Sequence, residues 1–318
     1  MDEGKTLNKM VEENSYNQEL PFLAAINTSI LCIVFGANAV AIKISLFGLG
    51  TFTTAGLRFS IAAFAIFLWA KITRRSFSIK KGQIHQLLVI SGIFTVQLSM
   101  LYLGMSKTNA SRGTLLINLQ PFFVLFLAHH FIPGDRITKK KILGLFLGFT
   151  GMTFVFLGKK TVTDDIQAGD VLILITAFLW ACNTVYIKRI ISAFDPFQIV
   201  LYPMIFSIPF FFLSGFLWDS PIISHIDMKV LGSLLYQGLI TASLGYVIWN
   251  YLLQKYGAVS LHSFIFIMPI SGVFLGGLIL GEPITSNIVL ALLLIVSGIL
   301  VVNSKTKKYA PLFPSRGI

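Results

Sequence analysis

Charged residues are scarce in this chain, and acidic residues are the scarcest of them. Asp, Glu, Lys and Arg make up 12% of the 318 residues, whereas apolar residues make up 55% and the mean hydropathy is +0.80. Water-soluble domains carry about 25% charged residues. The composition therefore excludes an ordinary soluble domain and predicts a membrane protein.

Cysteine and the common catalytic motifs are also lacking. The two cysteines, Cys32 and Cys182, both lie inside apolar runs, which excludes a disulfide framework and a cysteine-based metal knuckle. The sequence contains no Walker-type loop, no His-Glu-x-x-His helix motif and no Gly-x-Ser-x-Gly elbow. We therefore expect no built-in ATP motor, no metal and no cofactor.

What the chain has in quantity is long apolar runs. A helix needs about 20 apolar residues to cross a bilayer core of about 30 Å. Thr51–Ala70 carries one charge, Arg58, near its centre. The charge-free runs are Pro21–Ile42, Leu87–Met105, Gly113–Pro133, Ile142–Gly158, Val171–Ile187, Pro196–Trp218, Val230–Gln254, Tyr256–Gly281 and Pro283–Ser304. All are too long for barrel strands and lack two-residue alternation, so we predict an all-α polytopic membrane protein with ten transmembrane helices.

The fourth predicted span has a counterpart in the ninth. Asn109–Thr138 and Gly257–Thr285 each contain a central proline followed by a Gly-acid-x-Ile-Thr turn. The two prolines, Pro121 and Pro269, are 148 residues apart (269 − 121). A fixed offset over several landmarks indicates an internal duplication.

A second repeated motif occurs near the start of each half. Asn38-Ala-Val-Ala-Ile-Lys43 ends the first span and Asn183-Thr-Val-Tyr-Ile-Lys188 ends the sixth, 145 residues later (183 − 38). Five spans is an odd number, so the second half enters the bilayer from the opposite side. The sequence thus predicts two inverted five-helix repeats, a build known from secondary transporters.

These repeats divide the chain into four parts. Residues 1–20 form an acidic cytoplasmic tail, 21–160 the first five-helix repeat, 168–304 the second repeat, and 305–318 a basic cytoplasmic tail.

The distribution of basic residues predicts the orientation. With the amino terminus cytoplasmic, the inner loops and tails hold 18 Lys and Arg and the outer loops hold six; Arg58 completes the total of 25. By the positive-inside rule both termini are cytoplasmic, in a multi-pass protein of the cell membrane. Because the basic residues lie in short loops beside the bilayer, we expect lipid and a small-molecule substrate as partners, and no nucleic acid; nothing in the sequence sets an oligomeric state.

The chain resembles the EamA-type members of the drug/metabolite transporter superfamily from about Ala24 to Ser304. The residues that carry this resemblance are Leu57-Arg58-Phe59, Asn109–Thr138, the glycines Gly144, Gly148 and Gly151, Trp249-Asn250-Tyr251, and Gly257–Thr285. One departure is Gly134-Asp135, where the family usually has Gly-Glu. The resemblance implies ten helices in two five-helix repeats, and export or exchange of small metabolites, amino acids among them.

Polar and aromatic side chains inside the spans are the candidate substrate pathway, because lipid does not solvate them. The pathway residues are Asn38, Arg58, Gln97, Asn118, Gln120, Trp180, Asn183, Tyr246, Trp249 and Asn250, with Gln237 and Tyr102 beside them. Bonding between helices is the alternative for about half of the amides. For Arg58, we expect snorkelling or bonding to backbone carbonyls in preference to holding a carboxylate.

Proline, glycine and threonine at repeated positions predict local structure. Pro121 and Pro269 are expected to kink their helices, either at the site or simply to shape the packing. Glycines four residues apart, such as Gly272 and Gly276, predict close helix packing. Thr138 and Thr285 are expected to cap the fifth and tenth helices.

Three function classes remain at this point. We favour a secondary transporter of small organic solutes; a passive pore-like facilitator and, less favoured, a membrane-embedded enzyme are the alternatives. No Asp or Glu is predicted near the middle of a span, and His262 is the one histidine well within a span. This favours substrate-driven facilitation or exchange over carboxylate-gated proton antiport.

The predicted orientation can be checked by labelling single cysteines in a background without Cys32 and Cys182. A cysteine at Lys80 or Lys140 should be protected from an impermeant thiol reagent added outside, whereas one at Lys160 should react. A cysteine at Lys229 should react as well. External labelling at Lys80 or Lys140 would overturn the orientation.

Overall fold

All regular structure described in this protein is helical. The computed structural model describes residues 21–80, 82–131, 139–157, 168–190, 193–256, 264–265 and 267–303. In these ranges the helices are α1 (Phe22–Leu46), α2 (Thr51–Ile72), α3 (Gln83–Ser106), α4 (Ala110–Ile117), α5 (Gln120–Phe131), α6 (Lys139–Leu157), α7 (Ala168–Ile190), α8 (Pro196–Trp218), α9 (Met228–Leu235), α10 (Tyr246–Tyr256), α11 (Ile267–Leu280) and α12 (Ser286–Asn303). A π-helical segment, Tyr236–Gly245, joins α9 directly to α10. The all-α prediction is confirmed for the described residues.

Seven described stretches are long and apolar enough to cross a bilayer. Three shorter apolar stretches, Ile142–Gly151, Ile267–Leu280 and Ser286–Val301, fall below that length. The prediction of a multi-pass membrane protein agrees with these spans.

Side chains and one glycine define several helix ends. The side chain of Asn109 accepts from the backbone N–H of Arg112 at the start of α4, at 2.8 Å. Thr285 Oγ1 accepts from the N–H of Ile288, at 3.4 Å, and so caps α12 as expected. Gly281 follows α11 with a φ of 67°, a left-handed conformation that glycine adopts without strain.

The fourth predicted span is two helices. α4 ends at Ile117 and α5 begins at Gln120, with Pro121 in its first turn, where a missing N–H costs nothing. At the break the N–H of Leu119 donates to the carbonyl of Leu116, at 3.2 Å. The expected kink at Pro121 is therefore a full interruption of the helix.

The same tight turn precedes the second proline. The N–H of Ile267 donates to the carbonyl of Phe264, at 3.0 Å, two residues before Pro269. Ile267 and Phe264 lie 148 residues after the pair that makes the turn before Pro121 (267 − 119, 264 − 116). The proline offset seen in the sequence is thus matched by backbone geometry.

The main helix contacts join elements from before residue 158 to elements from after residue 167. α6 packs against α12, α2 against α8, α3 against α7, and α1 against α11. The core of the molecule lies between these two parts of the chain. In it, Phe59 of α2 stacks on Phe211 of α8, at 5.6 Å between ring centroids, and meets Phe94 of α3 edge-on, at 5.1 Å.

Glycines allow the closest of these crossings. A Cβ atom on Gly298 of α12 would lie 2.7 Å from the carbonyl oxygen of Gly144 in α6. A Cβ atom on Gly272 of α11 would overlap the side chain of Thr114 in α4. These contacts agree with the packing role expected for small residues four apart.

We expect Gly298→Ala to destabilise the protein. Helix propensity favours alanine by about 1 kcal/mol, but overpacking against backbone costs about 1–3 kcal/mol, so the unfolding midpoint in detergent should fall. Gly92→Ala in α3 is the matched control, because a Cβ atom there would meet nothing within 4 Å. An unchanged midpoint for Gly298→Ala would show that the α6–α12 crossing is looser than described.

Candidate functional site

The positive charge of Arg58 is buried inside the helix bundle. Its side chain is 1% exposed. Nη1 donates to the hydroxyl of Tyr102 in α3, at 3.1 Å, and Nη2 makes a longer contact with Thr241 Oγ1, at 3.4 Å. The expectation that Arg58 snorkels or bonds to backbone carbonyls is wrong, because side-chain hydroxyls of two other elements take these bonds.

A directed chain of hydrogen bonds continues from Tyr102. The Tyr102 hydroxyl donates to Gln237 Oε1, at 2.8 Å. Gln237 Nε2 in turn donates to the carbonyl of Ala41, at 3.1 Å, and to Ser45 Oγ, at 2.7 Å. The chain links α2, α3, the π-helical segment and α1, and it therefore ties the two parts of the chain together in the core.

Thr241 connects this network to Asn38. The Thr241 hydroxyl lies 2.7 Å from the carbonyl oxygen of Gln237 and 3.1 Å from Asn38 Oδ1. One hydroxyl proton serves one acceptor at a time, and the Gln237 carbonyl is the closer one. The predicted site residues Asn38 and Arg58 thus meet at one threonine.

A few buried polar atoms have no hydrogen-bond partner in the described part of the chain. They are Arg58 Nε, Gln97 Oε1, Thr114 Oγ1 and Asn183 Oδ1. A buried polar group without a partner costs about 1–3 kcal/mol. Atoms of this kind are where a bound ligand gains most, because binding removes that cost.

A second group of predicted residues lies where α3 and α5 meet α7. Gln97 is 2% exposed and Asn183 is 5% exposed. Gln120 Nε2 donates to Thr184 Oγ1, at 3.3 Å. Trp180, one turn before Thr184, is half-buried and supplies a carbonyl to the Thr184 hydroxyl.

Two of the predicted amides are occupied within their own helices. Asn118 Nδ2 donates to the carbonyl of Thr114, and Asn250 Nδ2 donates to the carbonyl of Tyr246, each at 2.8 Å. These donors bond four residues back instead of bonding another helix.

Two of the predicted aromatic residues, Tyr246 and Trp249, meet around Phe35 of α1. Its ring centroid lies 6.0 Å from that of Tyr246 and 5.9 Å from that of Trp249. Tyr246 also interacts electrostatically with Arg58. An aromatic wall, Phe35, Tyr246 and Trp249, therefore adjoins the Arg58 network.

Sequence reasoning missed Thr241 and Ser45. Both are small hydroxyl residues, which occur in spans without functional meaning. One signal was available: Ser45 is seven residues after Asn38 and so shares its helix face, and Thr241 is four residues after Gln237.

At one end of the bundle, polar bonds join loops and helix starts. We call it the Lys43 end, because Lys43 Nζ donates there to the carbonyls of Met105 and Thr108, at 3.0 and 2.7 Å. Glu282 accepts from the N–H groups of Ala110 and Ser111 at the start of α4, at 2.6 and 2.8 Å. The end of α3 and the start of α4 are thus held by side chains of α1 and of the loop after α11.

Two further carboxylates act at the Lys43 end. Asp219 accepts from the N–H of Thr53 at the start of α2, at 2.8 Å. Asp170, the buried acid of α7, pairs with Arg112 and accepts from Thr108 Oγ1, at 2.6 Å. Arg112, near the start of α4, thus forms a buried ion pair.

A cavity of about 370 Å³ opens at the same end, bordered by Lys43, Trp218 and Asp219 among others. None of the residues predicted for the substrate pathway lines it.

The opposite end, which we call the Arg75 end, has its own links. Arg75 pairs with Asp195 at 3.7 Å. Tyr202 donates to the carbonyl of Phe77, and Gln198 Nε2 to that of Ser78, at 2.5 and 3.0 Å. The predicted residues Asp135, Thr138 and His262 lie outside the described residues.

Tyr102→Phe should lower the thermal midpoint of unfolding, because it removes the donor to Gln237 and the acceptor of Arg58 in a buried site. The expected cost is about 1–3 kcal/mol. Tyr202→Phe, which also loses one hydroxyl but near the bundle end, is the matched control. If Tyr102→Phe shifts the midpoint no more than Tyr202→Phe does, the chain through Tyr102 contributes nothing to stability.

Known proteins resemble this chain over most of its length. A probable amino-acid metabolite efflux pump of Escherichia coli is 27% identical over 278 residues, which cover 85% of this chain and 91% of the pump. The uncharacterized transporter YoaV of Bacillus subtilis is 26% identical over 270 residues, 84% of this chain and 92% of YoaV. A solved crystal structure superposes with a TM-score of 0.66 at 15% identity, covering 86% of this chain and 94% of its own; this likeness shows the fold alone.

The model of the EamA-like transporter family matches the chain twice, over residues 22–157 and 167–304. Together these matches span most of the chain, and they fall on either side of the segment between α6 and α7. The chain therefore belongs to the EamA-like transporter family.

Proposed function

We propose that this protein is a secondary transporter that moves small organic metabolites, amino acids or related solutes, across the cell membrane by alternating access. The observation that carries the proposal is the Arg58 network. It is a buried cation, at the contact between the two parts of the chain, whose Nε has no hydrogen-bond partner among the described residues. Polar groups held in the membrane interior, where two halves meet, are typical of transporter binding sites.

Ten spans in two inverted repeats are supported by the packing. Exchanging the halves maps α1 onto α7, α2 onto α8, α3 onto the α9–α10 run, α4 with α5 onto α11, and α6 onto α12. Under this exchange, the contact of α3 with α7 corresponds to a contact of the α9–α10 run with α1. The contact of α1 with α11 corresponds to a contact of α7 with α4 and α5. All four contacts occur. The double family match supports the same boundaries, 21–160 and 168–304.

This arrangement supports alternating access. The halves touch through helix faces, and each end is fastened by separate polar links, Glu282 on α4 at the Lys43 end and Arg75 with Asp195 at the Arg75 end. Rocking one half against the other would break the links at one end and keep those at the other. With both termini cytoplasmic, the Lys43 end faces outside.

Export or exchange without proton coupling is the proposed mode. Each described carboxylate lies at a helix end, and none lies within the middle of a described helix: Asp170, Asp195, Asp219, Asp227 and Glu282. A membrane carboxylate that gates protons is therefore not supported by the described residues. The name of the Escherichia coli relative, an efflux pump for amino-acid metabolites, supports export of such solutes.

Counterflow in proteoliposomes tests the transporter proposal. Vesicles with the purified protein, loaded with the twenty unlabelled amino acids, should take up a labelled amino-acid mixture faster than empty vesicles, and uptake should saturate. Linear, unsaturable uptake would show a passive facilitator, and the absence of protein-dependent uptake would contradict transport of these solutes.

Asn38→Leu and Asn183→Leu should each reduce this counterflow at normal membrane abundance, because a polar group facing the shared interior is lost. Asn287→Leu, at the start of α12, is the matched control and should leave uptake unchanged. Full uptake in both Asn38→Leu and Asn183→Leu would mean that these amides only bond helices together.

A further inference from the structure

One edge of the Arg58 guanidinium is unfilled. The group has five N–H donors in a planar fork. Nη1 donates to Tyr102. Among the described residues, Nε has no hydrogen-bond partner and Nη2 makes the 3.4 Å contact with Thr241. Tyr246 is also near enough to interact with the guanidinium. Nε and Nη2 share one edge of the plane, and two parallel N–H groups on such an edge match the two oxygens of a carboxylate.

No carboxylate forms an ion pair with Arg58 among the described residues. Its described neighbours include the hydroxyls of Tyr102 and Thr241, the side chain of Tyr246, and the ring of Phe59, whose centroid is 5.0 Å from the guanidinium carbon. The described carboxylates are committed at helix ends, as with Glu282 on the start of α4. A buried cation is stable when an anion pairs with it, and here the chain leaves that role open.

The filled edge keeps the open edge in place. The Tyr102 hydroxyl accepts from Arg58 and donates its proton to Gln237 Oε1. Gln237 Nε2 donates in turn to the Ala41 carbonyl and to Ser45 Oγ of α1. Tyr102 has no second proton to offer a ligand. These hydrogen bonds therefore fix the guanidinium plane and leave Nε and Nη2 as the donor pair. Holding the donors in place before a ligand arrives lowers the entropy cost of binding.

We propose that the transported solutes are organic anions or zwitterions whose carboxylate binds bidentately to the Nε–Nη2 edge of Arg58. This rests on the proposed transport function and names its substrate chemistry. Phe35, Tyr246 and Trp249 form the adjoining aromatic wall, which suits an apolar body attached to the carboxylate. Uncharged and purely cationic solutes lack the group that the edge requires.

Thr241 is a competitor for the same edge. Its contact with Nη2, at 3.4 Å, is the longest hydrogen bond in the network. In that bond the Thr241 hydroxyl accepts through a lone pair, while its proton is donated to the Gln237 carbonyl, at 2.7 Å. A bound carboxylate displaces that contact. Because Thr241 lies in the π-helical segment and Arg58 in α2, occupancy of the edge removes one hydrogen bond between the two halves.

Matched carboxylates and amides test the proposal on the purified full chain. The probes are 3-phenylpropionate with 3-phenylpropanamide, and phenylalanine with phenylalaninamide. Each carboxylate should raise the unfolding midpoint in a saturable manner, and each amide should not. Equal shifts for acid and amide, or a shift produced by chloride alone that the carboxylates do not add to, would overturn the proposal.

Two variants locate the effect on Arg58. Arg58→Lys keeps the charge and loses the fork, so carboxylate affinity should fall at least about tenfold, the equivalent of one charge-assisted hydrogen bond. Thr241→Val removes the competitor and should tighten carboxylate binding. Arg74→Lys, at an exposed position after α2, is the matched control and should bind as the parent does.

The outcomes separate the inference from the transport function. If Arg58→Lys does not fold, the acid–amide comparison and Thr241→Val decide the matter, and weaker binding in Thr241→Val counts against the proposal. Counterflow of acids and amides at equal rates, unaffected by Arg58→Lys, would leave the transport function standing and refute carboxylate recognition. Selective binding of carboxylates without counterflow of any probe would uphold the recognition and refute transport.

Discussion

The burial of one positive charge governs the interior of this protein. Moving a cation from water into a protein core costs several kcal/mol, and the bilayer around the bundle offers no water to offset it. Arg58 is tolerated because Tyr102 and Thr241 come to it from α3 and the π-helical segment. Those partners lie on both sides of the segment between α6 and α7, so solvation of the charge requires the two halves to be assembled.

Among the described residues, the other charged groups lie at helix ends or in loops. Glu282 and Asp219 accept from exposed N–H groups at the starts of α4 and α2, where the partial positive charge of a helix start favours an anion. Asp170 is buried but carries its own partner, Arg112. The described interior thus holds polar amides and hydroxyls, and a cation left for an incoming anion.

Much of the fold could be predicted from sequence, because apolar length and helical satisfaction of the backbone leave few alternatives in a membrane. Pro121 marked the break between α4 and α5 correctly, since a missing N–H is a local property. Pro269 lies in the first turn of α11. The partners of Arg58 could not be predicted in this way. Its bonds to Tyr102 and Thr241 span 44 and 183 residues of sequence. Which groups bond the guanidinium therefore depends on how distant helices pack, and the sequence alone does not give that packing. Some of the predicted amides bond within their own helix, as Asn250 does, and others face another element. The same packing decides which of the two each amide does.

The π-helical segment makes the second half adjustable in a way that the regular helix α3 is not. Each backbone bond in a π-helix closes over one residue more than in an α-helix, so a return to α-helical bonding rotates the residues after the segment relative to those before it. Gln237 near the start of the segment is anchored on α1, whereas Tyr246 and Trp249 follow its end. Rewinding Tyr236–Gly245 as an α-helix would hold the anchor still and turn the aromatic wall about the helix axis, away from Arg58.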